Sequence, residues 1–201
     1  MSQWKTIPGE TPIDDISGLK IKSVRTRAAL SVVEAENIRH AVLKYLTAKP
    51  TRKQARFDLN WLKVLHKEML GNVWTWAGEF RHIDLNLGVP HQQIEERLHN
   101  LLGDLEVWGT SGIPLIDQAT RLHHQAVHIH PFLNGNGRWA RLLANIWLKL
   151  HGQPPTDWPE GTIGSESTVR ADYLTAIKSA DAGDYKALIE VHRRFTPESP
   201  A

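Results

Sequence analysis

The feature that most constrains the fold is an apolar repeat at helical spacing, which is clearest between residues 92 and 108. Large apolar side chains recur there three or four positions apart and therefore share one helix face. They are Ile94, Leu98, Leu101, Leu102, Leu105 and Trp108. The same spacing returns along most of the chain, which predicts an all-α fold.

Seven runs of this kind predict seven helices, most of which start at a capping residue and stop at glycine or proline. The first starts at Thr26 or Ser31, and the second starts at Asp58. The predicted helices cover residues 26–48, 58–70, 92–108, 114–129, 136–150, 167–182 and 184–195. We expect an irregular arm over residues 1–25, a single helical domain over 26–195 and a tail over 196–201.

Composition narrows the classes of function. The 201 residues include 24 basic and 22 acidic side chains, so the small positive net charge predicts no nucleic-acid surface. No cysteine is present, which excludes disulfides, thiolate catalysis and cysteine-based metal sites. We find no signal run and no membrane span of roughly 18 apolar residues, so the expectation is a cytoplasmic protein without a membrane partner.

Residues 130–141 combine a loop with the start of a helix. Pro131 cannot lie inside the preceding helix, while Gly135 and Gly137 permit unusual backbone angles. An apolar periodic run follows, so a helix is predicted to begin near Asn136. The first N–H groups of a helix have no partner within it, and the aligned peptide dipoles make that end positive. This stretch therefore predicts a site for phosphate or another anion.

Two arginines and a histidine add chemistry to this loop. Arg138 and Arg141 lie three residues apart and share a helix face, where their guanidinium groups would hold further phosphate oxygens. His130 precedes the loop and can accept a proton near neutral pH. Each residue alone has an ordinary structural explanation, but the ordered combination is much more specific.

The combination resembles the signature of the Fic/Doc family, His-x-Phe-x-Asp/Glu-Gly-Asn-Gly-Arg-x-x-Arg. It is matched at His130, Phe132, Gly135, Asn136, Gly137, Arg138 and Arg141. The chain departs from it at Asn134, where the family usually has a carboxylate. A Trp-Ala-Gly-x-Phe/Ile-Arg segment at residues 76–81 is also typical of the family, and the resemblance extends over residues 60–195. Within the family the chain is most similar to the subgroup called mobile mystery protein B.

The resemblance implies a Fic-type helical bundle with a small β-hairpin flap, and transfer of AMP from ATP to a hydroxyl group of a target protein. It makes His130 the general base. The phosphates would be bound by Asn134, Gly135, Asn136, Gly137, Arg138 and Arg141. Flap residues, which would position the target side chain, are His82, Ile83, Asp84, Leu85 and Asn86.

Asn134 leaves a second interpretation open. In the family the residue at this position holds a divalent cation, and the neutral carbonyl of Asn134 would hold Mg²⁺ or Mn²⁺ less well than a carboxylate does. The chain would then be a nucleotide- or partner-binding module with weak or lost catalysis, or would use another phosphate-containing donor. The subgroup resemblance further implies a helix-turn-helix protein as a regulatory partner.

Many Fic proteins are restrained by Ser/Thr-x-x-x-Glu-Gly/Asn, whose glutamate pairs with the second arginine of the signature and blocks the γ-phosphate. Residues 156–161 match this pattern as text, but Pro159 opposes a helix there, so we interpret the match as chance. Glu36, which precedes an asparagine in the first helix, is the alternative inhibitory residue, with a predicted contact to Arg141.

Three other histidines, His66, His124 and His128, have either structural or metal-binding interpretations. His124 and His128 lie four residues apart on one helix and could share a metal ion. Without cysteine or a His-Glu-x-x-His pattern, their spacing favours packing or solvent roles. A metal hydrolase is accordingly disfavoured. His66 lies beside the apolar face of the second helix and is interpreted as a core or surface residue.

Overall fold

The structure, a computed structural model, describes residues 16–165 and 167–198. These residues form eight α-helices and contain no β-strand, so the predicted all-α class is confirmed. None of the helices within those two ranges is both long and apolar enough to cross a membrane. The helices are α1 (Arg27–Leu46), α2 (Leu59–Leu70), α3 (Ile94–Thr110), α4 (Leu115–Ile129), α5 (Asn136–Leu150), α6 (Glu160–Ile163), α7 (Thr168–Asp181) and α8 (Lys186–Phe195).

Side-chain caps fix where three of the helices begin. Thr26, Asp58 and Ser167 each accept a hydrogen bond from the backbone N–H three residues ahead. Thr26, not Ser31, therefore starts α1. A short 3₁₀ turn, His91–Gln93, precedes α3, which is why that helix begins slightly later than predicted. Its end at Thr110 also lies slightly beyond the predicted one.

Helices α4 and α5, which flank the loop at residues 130–135 and are called the site-bearing helices below, lie at the centre of the fold. Helix α5 is buried on almost every face, and it packs against α4, α1 and α2. Helix α4 also contacts α3, α7 and α8. The loop between α4 and α5 is thus fixed at both ends by the main hydrophobic core. A second, smaller apolar cluster joins α6, α7 and α8; it comprises Trp158, Ile163, Tyr173, Ala176, Ala180 and Leu188.

The described part of the N-terminal arm packs on the helical body. Leu19 forms an isolated antiparallel bridge with Trp74, and the Thr75 N–H donates to the Gly18 carbonyl at 2.9 Å. Residues 1–15 of the predicted arm and 199–201 of the predicted tail lie outside the described residues. The division of the chain into arm, domain and tail remains a prediction.

The predicted β-hairpin flap was wrong in its backbone pairing. Residues 81–90 form bends and extended loop with no strand among them. The two arms are joined instead through the Arg81 guanidinium, which donates to the carbonyls of Ile83 (2.8 Å) and Val89. The Arg81 side chain, which has several donors, thus takes the place of the backbone hydrogen bonds that would join the two strands of a hairpin. The flap is therefore a loop.

Candidate active site

The loop that enters α5 contains two residues in the left-handed region. Gly135 has φ 79° and precedes the first turn of α5, and a Cβ there would lie 2.6 Å from Leu70 Cδ1. Only glycine fits this position. His130, at φ 54° and ψ 60°, ends α4 in a conformation that is uncommon for a residue with a side chain. The loop is therefore sharply bent at both of its ends.

Asn136 braces the loop from inside. Its Oδ1 accepts from the Phe132 N–H at 2.9 Å, and its Nδ2 donates to the Phe132 carbonyl at 2.8 Å. Both residues are buried. The sequence predicted that the Asn136 amide contacts a phosphate, whereas the structure engages that amide with Phe132. Asn136 accordingly shapes the phosphate loop from beneath.

His66 supports the same loop from α2. The Gly78 N–H donates to its Nδ1 at 3.0 Å, so its Nε2 carries the proton and donates to the Asn134 carbonyl at 3.0 Å. The His66 ring stacks on Phe132 with centroids 3.7 Å apart. Full burial lowers its pKa to about 3, which keeps the ring neutral. Sequence spacing placed His66 near the core but gave no signal of this positioning role.

His130 has the chemistry of a proton acceptor. Its Nδ1 lies 3.3 Å from the Val127 carbonyl, which can only accept, so Nδ1 carries the proton and the lone pair lies on Nε2. Burial lowers its pKa to about 4, opposed by the Val127 hydrogen bond and helped by the charge of Arg81. At neutral pH the ring is an uncharged imidazole with the tautomer that a general base requires.

Arg81 holds the flap against His130, and sequence reasoning did not assign it a role. Its Nε donates to the His130 carbonyl at 2.7 Å, and its backbone N–H donates to the Pro131 carbonyl at 2.9 Å. The flap residue Gly88 packs so closely that a Cβ there would lie 2.5 Å from the His130 Cβ. The buried guanidinium therefore fixes the flap and the end of α4 as one unit.

The five predicted flap residues project around this anchor. His82, Ile83, Asp84 and Asn86 are exposed, and Leu85 is half-buried. Asp84 Oδ1 accepts from the backbone N–H of His91 at 2.8 Å and lies 3.0 Å from the His91 Nδ1, and these contacts lower the pKa of Asp84. The flap is thus held at its base and open to solvent along its length.

Asn134 offers little to a divalent cation. Its Oδ1 accepts from the Gly135 N–H at 2.6 Å, and its backbone carbonyl is engaged with His66. Residues 130–141 contain no carboxylate. The loop therefore presents one neutral side-chain oxygen at the predicted metal position, a poor fit for Mg²⁺ unless phosphate oxygens supply most of the ligands.

Arg138 is paired with a glutamate from α1. Its Nη1 lies 2.8 Å from Glu34 Oε2, and the other oxygen of this buried carboxylate accepts from the Trp74 indole N–H at 2.7 Å. Glu34 is separated from Arg138 by 104 positions, and no sequence pattern connects them. The first arginine of the loop is thus already bound to an anionic group.

Arg141 is paired with Glu160, which corrects our interpretation of residues 156–161 as a chance match. Arg141 Nε lies 2.8 Å from Glu160 Oε1, and Nη2 lies 2.5 Å from Oε2. Burial works against the charge of Arg141, but Glu160 raises its pKa above the ordinary value. Pro159 does not oppose the helix because it precedes the first residue of α6.

The predicted contact between Glu36 and Arg141 was wrong. Glu36 lies on the outer face of α1, where its carboxylate binds Arg39 at 2.8 and 3.0 Å. The buried positions of this helix are occupied by Glu34 and Asn37 instead. Because successive residues of a helix are rotated by about 100°, a shift of two residues along α1 is about half a turn and moves a side chain from the core to solvent.

A buried polar network lies on the far side of Arg141, and the sequence did not predict it. His123 Nε2 lies 3.1 Å from the Tyr173 hydroxyl, and His123 Nδ1 lies 3.0 Å from His192 Nε2. Burial lowers the pKa of both histidines, that of His192 to about 3. The Tyr173 ring lies 5.9 Å from the Arg141 guanidinium. This neutral network attaches α7 and α8 to α4.

A sequence comparison decides the family. Residues 56–148 match the model of the Fic/DOC family, and the match includes α2, the flap, α4 and most of α5. The chain contains a Fic/DOC family domain. The finer resemblance to mobile mystery protein B remains a prediction.

Relatives of this Fic chain are longer proteins. It is 28% identical to protein adenylyltransferase fic-1 of Caenorhabditis elegans over 191 residues, which cover 87% of this chain and 36% of that protein. It is 31% identical to protein adenylyltransferase Fic of Drosophila grimshawi over 152 residues, 73% of this chain and 30% of that protein. The Fic chain thus spans about a third of the length of these relatives.

Solved structures share the fold of the Fic chain. C. elegans Fic-1 (residues 134–508) superposes with a TM-score of 0.66 at 23% identity, over 95% of this chain and 51% of that one. BepC of Bartonella tribocorum with bound AMPPNP has a TM-score of 0.66 at 18% identity, over 100% and 99% of the two chains. A Bartonella quintana Fic domain with bound ADP has a TM-score of 0.63 at 18% identity, over 88% of each chain.

Proposed function

We propose that this chain is a Fic-type adenylyltransferase that transfers AMP from ATP to a hydroxyl group of a target protein. The observation that carries the proposal is the neutral His130, which carries its proton on Nδ1 and lies six residues before Asn136, the first residue of α5. Adenylyltransferase relatives support the reaction, and fold neighbours with bound AMPPNP or ADP support the nucleotide.

In the proposed reaction His130 Nε2 accepts the proton of the target hydroxyl while the hydroxyl oxygen attacks the α-phosphorus of ATP. A new oxygen–phosphorus bond forms, and the bond from the α-phosphorus to the oxygen bridging the α- and β-phosphates breaks. Pyrophosphate leaves, and AMP remains on the target as a phosphodiester. The negative charge of a bound triphosphate raises the pKa of the buried His130 towards neutrality, which strengthens the base when substrate is present.

The phosphates are proposed to bind at the start of α5. The backbone N–H groups of Gly135, Asn136 and Gly137 lie at the positive end of this helix, and the glycines allow close approach. The Gly135 N–H donates to Asn134 Oδ1 in this structure, so a phosphate oxygen would replace that acceptor. Arg138 and Arg141 would stabilise charge that develops on the outer phosphates as the bond breaks. Asn134 would give a neutral oxygen to an Mg²⁺ or Mn²⁺ ion held mainly by the phosphates, and such an ion would neutralise part of their charge.

The flap is proposed to bind the target as an extended segment. Residues 82–86 lack strand partners in the described structure, so their backbone groups, apart from the Ile83 carbonyl that accepts from Arg81, are proposed to pair with main chain of another protein. Arg81 would keep such a segment next to His130.

We propose further that Glu160 restrains the enzyme. The γ-phosphate of ATP and the Glu160 carboxylate both need the planar donor face of Arg141, so they exclude each other. Glu160 is half exposed whereas Arg141 is buried, so Glu160 is the partner that can move away. This role follows from the pairing in the structure together with the inhibitory pattern that the family resemblance implies.

A second candidate function is a nucleotide- or partner-binding module without catalysis. The observation that favours it is Asn134, whose side-chain oxygen is neutral and engaged by the Gly135 N–H.

Two further proposals, on location and on a regulatory partner, apply to either function. The absence of cysteine supports a cytoplasmic location, and the subgroup resemblance supports a helix-turn-helix regulatory partner.

The deciding experiment measures transfer of α-labelled ATP to the chain itself and to lysate proteins, with Mg²⁺ or with Mn²⁺. Glu160→Gly should label strongly, and adding His130→Ala to it should abolish the label. Glu36→Gly is the matched control because its exposed carboxylate binds only neighbouring groups on α1, and it should behave like the unmodified chain. Retained ATP binding without label in any variant would favour the binding module.

A further inference from the structure

His124, His128 and Asp181 converge at a point outside the phosphate loop. Asp181 Oδ1 lies 2.9 Å from His124 Nε2 and 3.1 Å from His128 Nδ1. In the part of the chain that the structure describes, these three are the group whose ligand atoms all lie within 4.8 Å of one another. The two histidines stand on the last turns of α4, and Asp181 is the final residue of α7.

The donor set suits a borderline-soft transition metal. Imidazole nitrogens and a carboxylate oxygen are ordinary ligands of Zn²⁺, whereas Mg²⁺ prefers oxygen alone. Ligand atoms about 2.1 Å from a tetrahedral ion stand roughly 3.4 Å apart, so the Asp181 oxygen needs to move away from each nitrogen by only a few tenths of an ångström. The three ligand atoms all lie within 4.8 Å of one another, so side-chain rotations would complete the coordination site.

His124 has the second contact that orients a metal-binding histidine. Its Nδ1 lies 3.0 Å from the Tyr185 hydroxyl, and its Nε2 faces Asp181. Metal-ligating histidines commonly donate from the other ring nitrogen to such a partner, which fixes the ring and its tautomer. His124 is buried, while His128 and Asp181 are about half exposed, so an ion can reach the open side from solvent. His124 is thus held in place by its contacts, while His128 and Asp181 are accessible to an ion from solvent.

We propose that His124, His128 and Asp181 bind a divalent transition metal ion of the Zn²⁺ type, with the fourth position open to water. The ion would join the end of α4 to the end of α7. Helix α4 ends at His130, and α7 contributes Tyr173 beside Arg141, so the metal would stabilise the attachment of the second apolar cluster to the site-bearing helices. This inference does not depend on the proposed adenylyltransferase activity.

Metal binding by the untagged full chain tests the proposal. Zn²⁺ is titrated calorimetrically in excess Mg²⁺, which keeps oxygen-liganded cation sites filled, and the bound metal is counted after dialysis. We expect one Zn²⁺ per chain and a rise in melting temperature of about 5 to 10 °C at a hundredfold excess over the dissociation constant. Co²⁺ in place of Zn²⁺ should give visible absorption of four-coordinate type.

The variants use the accessible ligands so that folding is preserved. His128→Ala and Asp181→Asn should each remove stoichiometric Zn²⁺ binding, and Tyr185→Phe should weaken it by roughly 10- to 100-fold. His99→Ala on the exposed face of α3 and Asp172→Asn on α7 are matched controls that should bind Zn²⁺ normally. The proposal is overturned if the unmodified chain binds no stoichiometric Zn²⁺, or if His128→Ala and Asp181→Asn leave binding unchanged.

Discussion

Arg141 and Glu160 face each other in a two-point ion pair, with an Nε–Oε1 distance of 2.8 Å and an Nη2–Oε2 distance of 2.5 Å. The guanidinium of Arg141 uses its Nε and Nη2 donors on the two carboxylate oxygens of Glu160. While this ion pair persists, those two donors cannot bind a phosphate. We therefore expect the occupancy of Arg141 to control when the proposed phosphate site can accept a triphosphate.

Glu160→Gly should raise the affinity for a non-hydrolysable ATP analogue by about 5- to 150-fold, the usual range for coupling between two competing interactions. The same change should lower the melting temperature, because the buried Arg141 loses its carboxylate partner. Calorimetric titration and thermal unfolding measure the two effects. A gain in affinity without loss of stability, or the same gain in Glu36→Gly, would contradict the assignment.

Asn134→Asp should increase label transfer when it is added to Glu160→Gly. A carboxylate at this position gives the divalent cation a charged ligand, and each tenfold gain in rate corresponds to about 1.4 kcal/mol of additional transition-state stabilisation. We expect at least about a tenfold increase with Mg²⁺ and a smaller ratio between Mn²⁺ and Mg²⁺ rates. If Glu160→Gly transfers label equally fast with and without Asn134→Asp, under both ions, then position 134 does not limit the reaction.

Stability should fall as the pH drops from about 6.5 towards 4. His66, His130 and His192 have pKa values lowered to about 3, 4 and 3 by burial, whereas unfolding restores values near 6.5. In this window the unfolded chain binds more protons, so the free energy of unfolding rises with pH, by up to about 1.4 kcal/mol per pH unit for each histidine. Urea unfolding at several pH values gives the slope.

Variants assign that slope to particular histidines. His192→Asn should reduce the pH dependence by up to one proton, and His99→Asn, an exposed matched control, should leave it unchanged. A slope identical in the unmodified chain and in His192→Asn would mean that His192 does not titrate differently in the folded and unfolded states.

Gly88→Ala should impair catalysis more than it impairs nucleotide binding. The added Cβ would lie 2.5 Å from the His130 Cβ and would sit at φ +94°, so His130 and the flap must separate. We expect a loss of about 1 to 3 kcal/mol in stability and a fall in the transfer rate. Gly103→Ala in α3 is the matched control because nothing lies within 4 Å of its added Cβ, and it should be stable and active. Equal activity in the two variants would refute this account of the flap.

The helices were largely predictable because their apolar spacing is a local property of the sequence. Asp58 and Ser167 act on an N–H only three residues away, which a reader of the sequence can find. Contacts between residues that are distant in the sequence have no local pattern that predicts them. The hydrogen bond from His66 to the Asn134 carbonyl, for example, joins residues 68 positions apart. The resemblance supplied the candidate residues of the loop at 130–141, whereas the residues that support this loop emerged only from the structure.

The errors at the site arose where one residue was given too much weight. Pro159 was interpreted as a helix breaker within residues 156–161, but a proline just before a helix disrupts nothing. The resemblance predicted a hairpin flap, yet the donors of the Arg81 side chain bind the carbonyls of Ile83 and Val89 in place of strand pairing.

Residues 56–148, the part of the chain that matches the family model, contain Arg138 and Arg141 but neither of the carboxylates that bind them. Glu34, which binds Arg138, precedes this part in the sequence, and Glu160, which binds Arg141, follows it. A fragment limited to that part would expose two unmatched cations to every polyanion in a cell. In this structure both arginines are already paired with carboxylates, so we expect inorganic phosphate and nucleic acid to bind them only weakly. An incoming ligand has to displace a competitor that the protein carries within itself.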